Sequence, residues 1–140
     1  MLIDKYIKQV ETCFRLEKEI QEAILEERER RLNKRSRNPT EDMVVNKIMP
    51  VRKVRVSYKQ RTLVVEQPEK WLAIIKVIYA AYSNHPICSM VRMRLEDNKS
   101  PEVISGVMGI SRETYYGWYR EFFRDAVFVA CSRGLLNFKM

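Results

Sequence analysis

A mainly α-helical fold with one short extended interruption is what the sequence predicts, on three observations. Apolar residues recur every three or four positions through residues 2–33 and again from Pro68 onward, the pattern of amphipathic helices. Strict alternation occurs between Lys53 and Arg61, and a period of two means extended backbone. Between these stretches stand the breakers: Pro39, Pro50, Asn84-His85-Pro86, Asn98 to Pro101, and Gly109. The 140 residues suffice for one ordinary domain, or a small domain with an appendage. A content of 46% hydrophobic and 31% charged residues is a globular balance that argues against wholesale disorder.

The first element is a long helix over residues 2 to about 33, which hold no Gly or Pro. Ile3, Tyr6, Ile7, Val10, Cys13, Phe14, Ile20 and Ile24 share one face, and the other faces are rich in Glu, Lys and Arg. So narrow a stripe predicts a helix laid against the rest of the fold or a second copy of itself, not a core element. Residues 2–27 are therefore expected to make the protein at least a dimer. Heptad-like spacing lasts only about two repeats before Glu17, which speaks against a long regular coiled coil.

Asn33 to Pro39 reads as a basic break, and Thr40 can cap a short helix to about Met49 that Pro50 ends. Val54, Val56 and Tyr58 then alternate with Lys53, Arg55, Ser57, Lys59 and Arg61. This segment is a strand, a hairpin, or an arm that orders on binding, apolar on one side and basic on the other. Pro68 opens a helix to about Tyr82, and Pro86 opens another to about Glu96. Ser100 caps a short third helix that starts at Pro101 and ends at Met108. Ser111 caps a long final helix, and Gly134 ends it.

Composition narrows the function. The four glycines, Gly106, Gly109, Gly117 and Gly134, form no phosphate-cradling loop. The single histidine, His85, forms with Cys88 at most half a zinc site, and no third orienting group accompanies the pair as a nucleophile and base. The expectation is a protein that is not an enzyme, with no metal and no cofactor. Cys13, Cys88 and Cys131, odd in number and widely spaced, fit a reducing cytoplasm better than a disulfide framework. No apolar run approaches the ~18 residues of a membrane span, and the first residues do not resemble a secretory signal.

The net charge of +8 is unevenly placed. Residues 1–27 carry −3 and residues 28–61 carry +9. A surface so polarised predicts a polyanionic partner, nucleic acid first.

Pro101 to Arg120 has the spacing of a helix-turn-helix, with Gly109 in the turn where φ > 0 is needed. Ile104 must face the core, and Ser105 is small enough for a close helix crossing. Met108 and Ile110 flank the glycine, and Tyr115 and Trp118 supply the buried face of the second helix. On this reading the start of the last helix enters the major groove of double-stranded DNA. Ser111, Arg112, Glu113 and Thr114 are the candidate base contacts: Arg112 toward guanine, Glu113 toward cytosine, Thr114 toward a thymine methyl. Tyr116, Arg120, Arg52, Lys53, Arg55, Lys59 and Arg61 are the candidate backbone contacts. Duller roles stand beside these: Ser111 as a cap, Glu113 as a helix-dipole residue, Tyr116 as core.

Gly109 to Tyr116, continuing to Ala126 and ending Arg133-Gly134-Leu135-Leu136, resembles the C-terminal part of ArpU-type phage transcriptional regulators. RinA-type late activators, with a helix-turn-helix similar to the fourth region of sigma factors, are near neighbours. Arg92-Met93-Arg94-Leu95 followed by Ser100 to Ile110 is similar to the entry of that motif. The likeness spans residues 68–136, with a weaker echo at Glu41 to Val45. Glu102 matches the usual early acidic residue, whereas Ser105 replaces the usual alanine and the basic stretch 51–61 has no counterpart. The resemblance implies a phage or prophage regulator of late genes in the bacterial cytoplasm, with host RNA polymerase as a further partner.

The expected organisation is an amphipathic, oligomerising helix over 1–33, a basic linker and extended segment over 34–66, and a four-helix helix-turn-helix domain over 67–140. The expected function is sequence-specific, dimeric, DNA-binding transcriptional regulation. A phage small terminase subunit and a basic inhibitor of a nucleic-acid enzyme are the alternatives.

Overall fold

The structure, a computed structural model, describes residues 2–33 and 50–136. Among these residues are helices α1 (Leu2–Arg15), α2 (Glu17–Asn33), α3 (Pro68–Ala81), α4 (Ile87–Leu95), α5 (Pro101–Met108) and α6 (Arg112–Ser132). Strands β1 (Lys53–Tyr58) and β2 (Arg61–Glu66) lie between α2 and α3 in the chain. The protein is mainly helical with a small two-stranded sheet. The short helix expected from Thr40 to Met49 falls outside the described residues. No helix among the described residues is long and apolar enough to cross a membrane.

Two compact units emerge, Leu16–Ala73 and a second made of Met1–Arg15 with Ile74–Met140. The first division falls inside the stretch that the sequence predicts as one long N-terminal helix. The apolar phase explains the break at Leu16. Phe14 and Ile20 are six residues apart, so on a continuous helix they would point about 120° apart. Breaking the helix lets each half bury its own stripe.

In the second unit α1 packs on α6. Val10, Cys13 and Phe14 are buried there, which corrects the expectation that this helix is too narrow to be a core element. The Phe14 ring meets Tyr79, Phe122 and Phe123 edge-on, with centroids 5.7, 5.7 and 5.3 Å away. The Tyr119 phenol is pushed well above its ordinary value by burial and then by the Glu11 carboxylate that accepts its hydrogen bond. Tyr82 Oη donates to Asp125 Oδ2. α4, α5 and α6 pack mutually, burying Met90 and Val91 of α4, Ile104 of α5, and Tyr115, Phe122 and Phe123 of α6.

In the first unit α2 lies against β1, and Ile20, Ile24, Val51, Val54, Val56 and Val65 are buried. Arg28 and Glu69 form an ion pair. The strands pair antiparallel from Lys53↔Glu66 to Tyr58↔Arg61. Lys59 and Gln60 make the two-residue turn, with φ of 48° and 63°. Positive φ at both central residues is the hairpin turn whose twist matches that of its strands.

Candidate nucleic-acid interface

Hydrogen bonds fix both ends of α5, the helix that leads into the turn before α6. Ser100 caps α5, its Oγ accepting from Val103 N at 3.3 Å, and Pro101 takes the first helical position. Such a proline arrives with its φ already helical and gives up only an unpaired N–H. At the other end Gly109 adopts φ 67°. Gly109 N donates to Gly106 O and Ile110 N to Ser105 O, at 3.4 and 3.1 Å. This pair of bonds satisfies two of the last orphan carbonyls of α5. The Ser105 hydroxyl, buried with its residue, donates to Pro101 O at 2.7 Å. Ile104, Ser105 and Tyr115 therefore occupy the interior positions expected of them. Trp118 is only half-buried and meets His85 edge-on at 4.7 Å, a correction to its expected place in the buried face.

The candidate base contacts divide into engaged and free groups. The Ser111 hydroxyl accepts from Thr114 N at 3.1 Å and donates to Thr114 Oγ1 at 2.9 Å, so it is committed to capping α6. Arg112 is exposed but paired with Glu102. The Glu102 carboxyl is held below its usual range by a hydrogen bond from its own backbone N–H and next by Arg112. Glu113 is exposed in the first turn of α6, where the helix dipole favours its charge. Thr114 is half-buried.

Beyond the first turn, Tyr116 is 51% exposed and leans edge-on against Tyr115 at 5.1 Å. Arg120 is exposed and forms a 3.1 Å ion pair with Asp4. Exposed Arg124 continues the four-residue spacing of Tyr116 and Arg120 on this face of α6, a position that the sequence reading missed although the spacing alone contains it.

On the hairpin, the register separates residues that simple alternation had grouped. Lys53, Arg55 and Ser57 share the exposed face with Glu66, Val64 and Thr62, while Val54, Val56 and Tyr58 oppose Val65, Leu63 and Arg61. Arg61 thus belongs to the face of Tyr58, not that of Arg55. The two-residue turn resets the phase, because side chains alternate along each strand and directly paired residues share a side. Lys59 sits in the turn itself with Nζ 5.3 Å from the Tyr58 ring centroid. Arg52 is exposed just before β1, and its carbonyl accepts from Gln67 N at 2.7 Å.

A groove of about 630 Å³ opens beside β1, lined by Arg52, Lys53, Val54 and Arg55 from the hairpin side and by Arg30 and Arg31 among the α2 residues. Arg30 and Arg31 went unnoticed in sequence because nothing there announces that α2 packs on β1. His85 is not poised as a metal ligand at Nδ1, which accepts from Ile87 N at 3.1 Å. Among the described residues no group of three or more His, Cys, Asp or Glu side chains comes together to hold a metal ion. Against known protein families, curated proteins and solved structures the chain has no match.

Proposed function

We propose that the protein is a sequence-specific DNA-binding transcriptional regulator, acting on phage or prophage late genes as the ArpU-type resemblance implies. The observation that carries this is the capped α5–turn–α6 unit, which presents an exposed Arg112, Glu113 and Tyr116 at the start of a well-supported helix. Packed against α4, this unit is the proposed helix-turn-helix of a C-terminal DNA-binding domain, with α6 as the helix that enters the major groove. Arg112 and Glu113 are the base-reading residues; Tyr116 and Arg120, with Lys53 and Arg55, grip the backbone. Ser111 and Thr114 position the helix rather than read bases, since the Ser111 hydroxyl accepts from Thr114 N and donates to Thr114 Oγ1. The protein acts without catalysis or cofactor in the bacterial cytoplasm, and host RNA polymerase is the partner an activator would meet.

A palindromic site requires two copies. The stripe expected to join them is covered within the chain, so a dimer has to use other surfaces. Leu25 and Leu32, 61% and 50% exposed and seven residues apart on α2, are apolar side chains available for that purpose. The same burial weakens the small terminase alternative, which draws on an oligomerising N-terminal helix. Selection from a random duplex pool followed by sequencing tests the proposal: an enriched motif is the expected result. A pool that emerges unenriched would refute sequence-specific recognition, and a non-palindromic motif would remove the two-fold dimer.

A further inference from the structure

We infer that the groove between α2 and β1 is a nucleic-acid backbone site in its own right, with Arg30 and Arg31 of α2 forming one wall. Five cationic residues, Arg30, Arg31, Arg52, Lys53 and Arg55, line it together with Glu26 and Glu27. Four of the five are arginines, whose planar fork pairs with phosphate oxygens in two-point contacts. The acidic groups are unevenly used. Glu27 accepts from Arg30 Nε and a terminal Arg30 nitrogen at 3.1 and 2.8 Å, and lies 3.7 Å from Arg31 Nε. On the hairpin side Arg52, Lys53 and Arg55 have no ion-pair partner among the described residues. The groove is therefore bordered on its hairpin side by cations without an ion-pair partner among the described residues, and on α2 by cations pre-ordered by a shared carboxylate.

An arrangement like this favours a ligand that carries a repeated negative charge without its own shape-specific polar groups. Residues 28–61 carry a net +9, an excess suited to a polymer that releases counterions from every phosphate it surrenders. The Val54 and Ala23 positions in the lining supply an apolar element between the basic walls, suited to a sugar ring between phosphates. The inference deepens the DNA-binding reading and rests on it only for the kind of polymer; its geometry lies wholly in the unit of Leu16–Ala73. Glu27 then acts as an internal competitor: it holds the two arginines in place and must share them when phosphate arrives.

The test uses the full chain with three probes: a random-sequence duplex, a random single strand, and polyglutamate of matched charge. Arg30→Gln with Arg31→Gln, and separately Lys53→Gln with Arg55→Gln on the exposed strand face, are expected to weaken binding to the random duplex. The slope of log affinity against log salt should flatten by roughly 0.9 for each phosphate that is no longer neutralised. Arg30→Lys with Arg31→Lys should restore most of that slope, because it returns the charge, and Glu27→Gln should tighten binding. Unchanged affinity and slope in both glutamine pairs, with the chain still folded by circular dichroism, would overturn the inference. Equal binding of polyglutamate, abolished in the same variants, would overturn it in favour of an acidic protein partner. If Arg112→Ala leaves the preference for the selected site intact while the groove variants still weaken binding, the α6 proposal fails and the groove stands. The opposite pattern removes the groove alone.

Discussion

Replacing Phe14 by Ala is expected to unfold the α1–α6 unit far more easily, because this side chain fastens α1 to the aromatic cluster. Phe14 is 3% exposed and has three edge-on ring neighbours between 5.3 and 5.7 Å. Truncating a buried phenylalanine costs about 3–5 kcal/mol, and removing several aromatic pairs places this site toward the upper end. With a urea m-value of about 2 kcal/mol/M, the denaturation midpoint should fall by roughly 1.5–2.5 M. Trp118 fluorescence reports on this unit if Trp71, which belongs to the other unit, is first changed to Phe. Titrations at two protein concentrations about tenfold apart separate burial within the chain from burial against a second copy, since only the latter makes the midpoint depend on concentration. A midpoint shift below about 0.5 M would show that Phe14 is not a core residue. A wild-type midpoint that climbs with concentration, and loses that dependence in Phe14→Ala, would return the stripe to a dimer interface.

Further outcomes follow from individual residues. Gly109→Ala should lower stability by about 1–2 kcal/mol, with Gly109→Asn milder: φ is 67° and an added Cβ meets nothing within 4 Å, so backbone strain is the whole penalty. Thermal unfolding that is unchanged in Gly109→Ala would contradict a left-handed turn residue. Glu102→Gln should release Arg112 and raise affinity for the selected site by a small factor; a fall would mean the ion pair aims Arg112 at DNA rather than withholding it. Burial pushes the Cys13 thiol up from 9.0 to about 12. An acid with a raised folded-state pKa stabilises fully below its unfolded value and loses that contribution as pH rises through the folded one. Stability should therefore decline from about pH 9 toward pH 12, by on the order of 1.4 kcal/mol per pH unit for this group. Cys13→Ala should flatten the decline, and an identical slope in the variant would refute the assignment.

Much of the architecture is legible in the sequence because it follows from local rules. The caps Ser100 and Ser111, the proline at the start of α5 and the left-handed glycines at 109 and 134 lie where the sequence predicts helix ends. Each is fixed by hydrogen-bonding and φ requirements within a few residues. The break at Leu16 was harder to see, because no Gly or Pro marks it. Its trace is the six-residue interval between Phe14 and Ile20, visible only when the phase of the stripe is followed rather than its density. Which partner each half-stripe would find was not legible at all. α1 buries its stripe on a helix about a hundred positions away in the chain, and the choice between that surface and a second copy is one of tertiary fit.

The candidate site separates two properties that sequence tends to merge, exposure and availability. Alternation correctly placed Lys53 and Arg55 outside, yet the same alternation misplaced Arg61, because a two-residue turn reverses the count while leaving the letters unchanged. On α6 the pattern put Arg112 on the surface but gave no sign of Glu102, ten residues earlier and across the turn, which holds it. The cations on β1 differ in that no carboxylate among the described residues pairs with them. If phosphate recognition begins where desolvation and broken ion pairs oppose it least, first contact belongs to the hairpin, and Arg112 exchanges Glu102 for a base only afterwards. Salt should then slow association chiefly through Lys53 and Arg55, whereas Arg112→Ala should act on the dissociation rate from the selected site. Stopped-flow association at two ionic strengths decides the order. An association rate that responds to Arg112→Ala and not to the hairpin variants would reverse it.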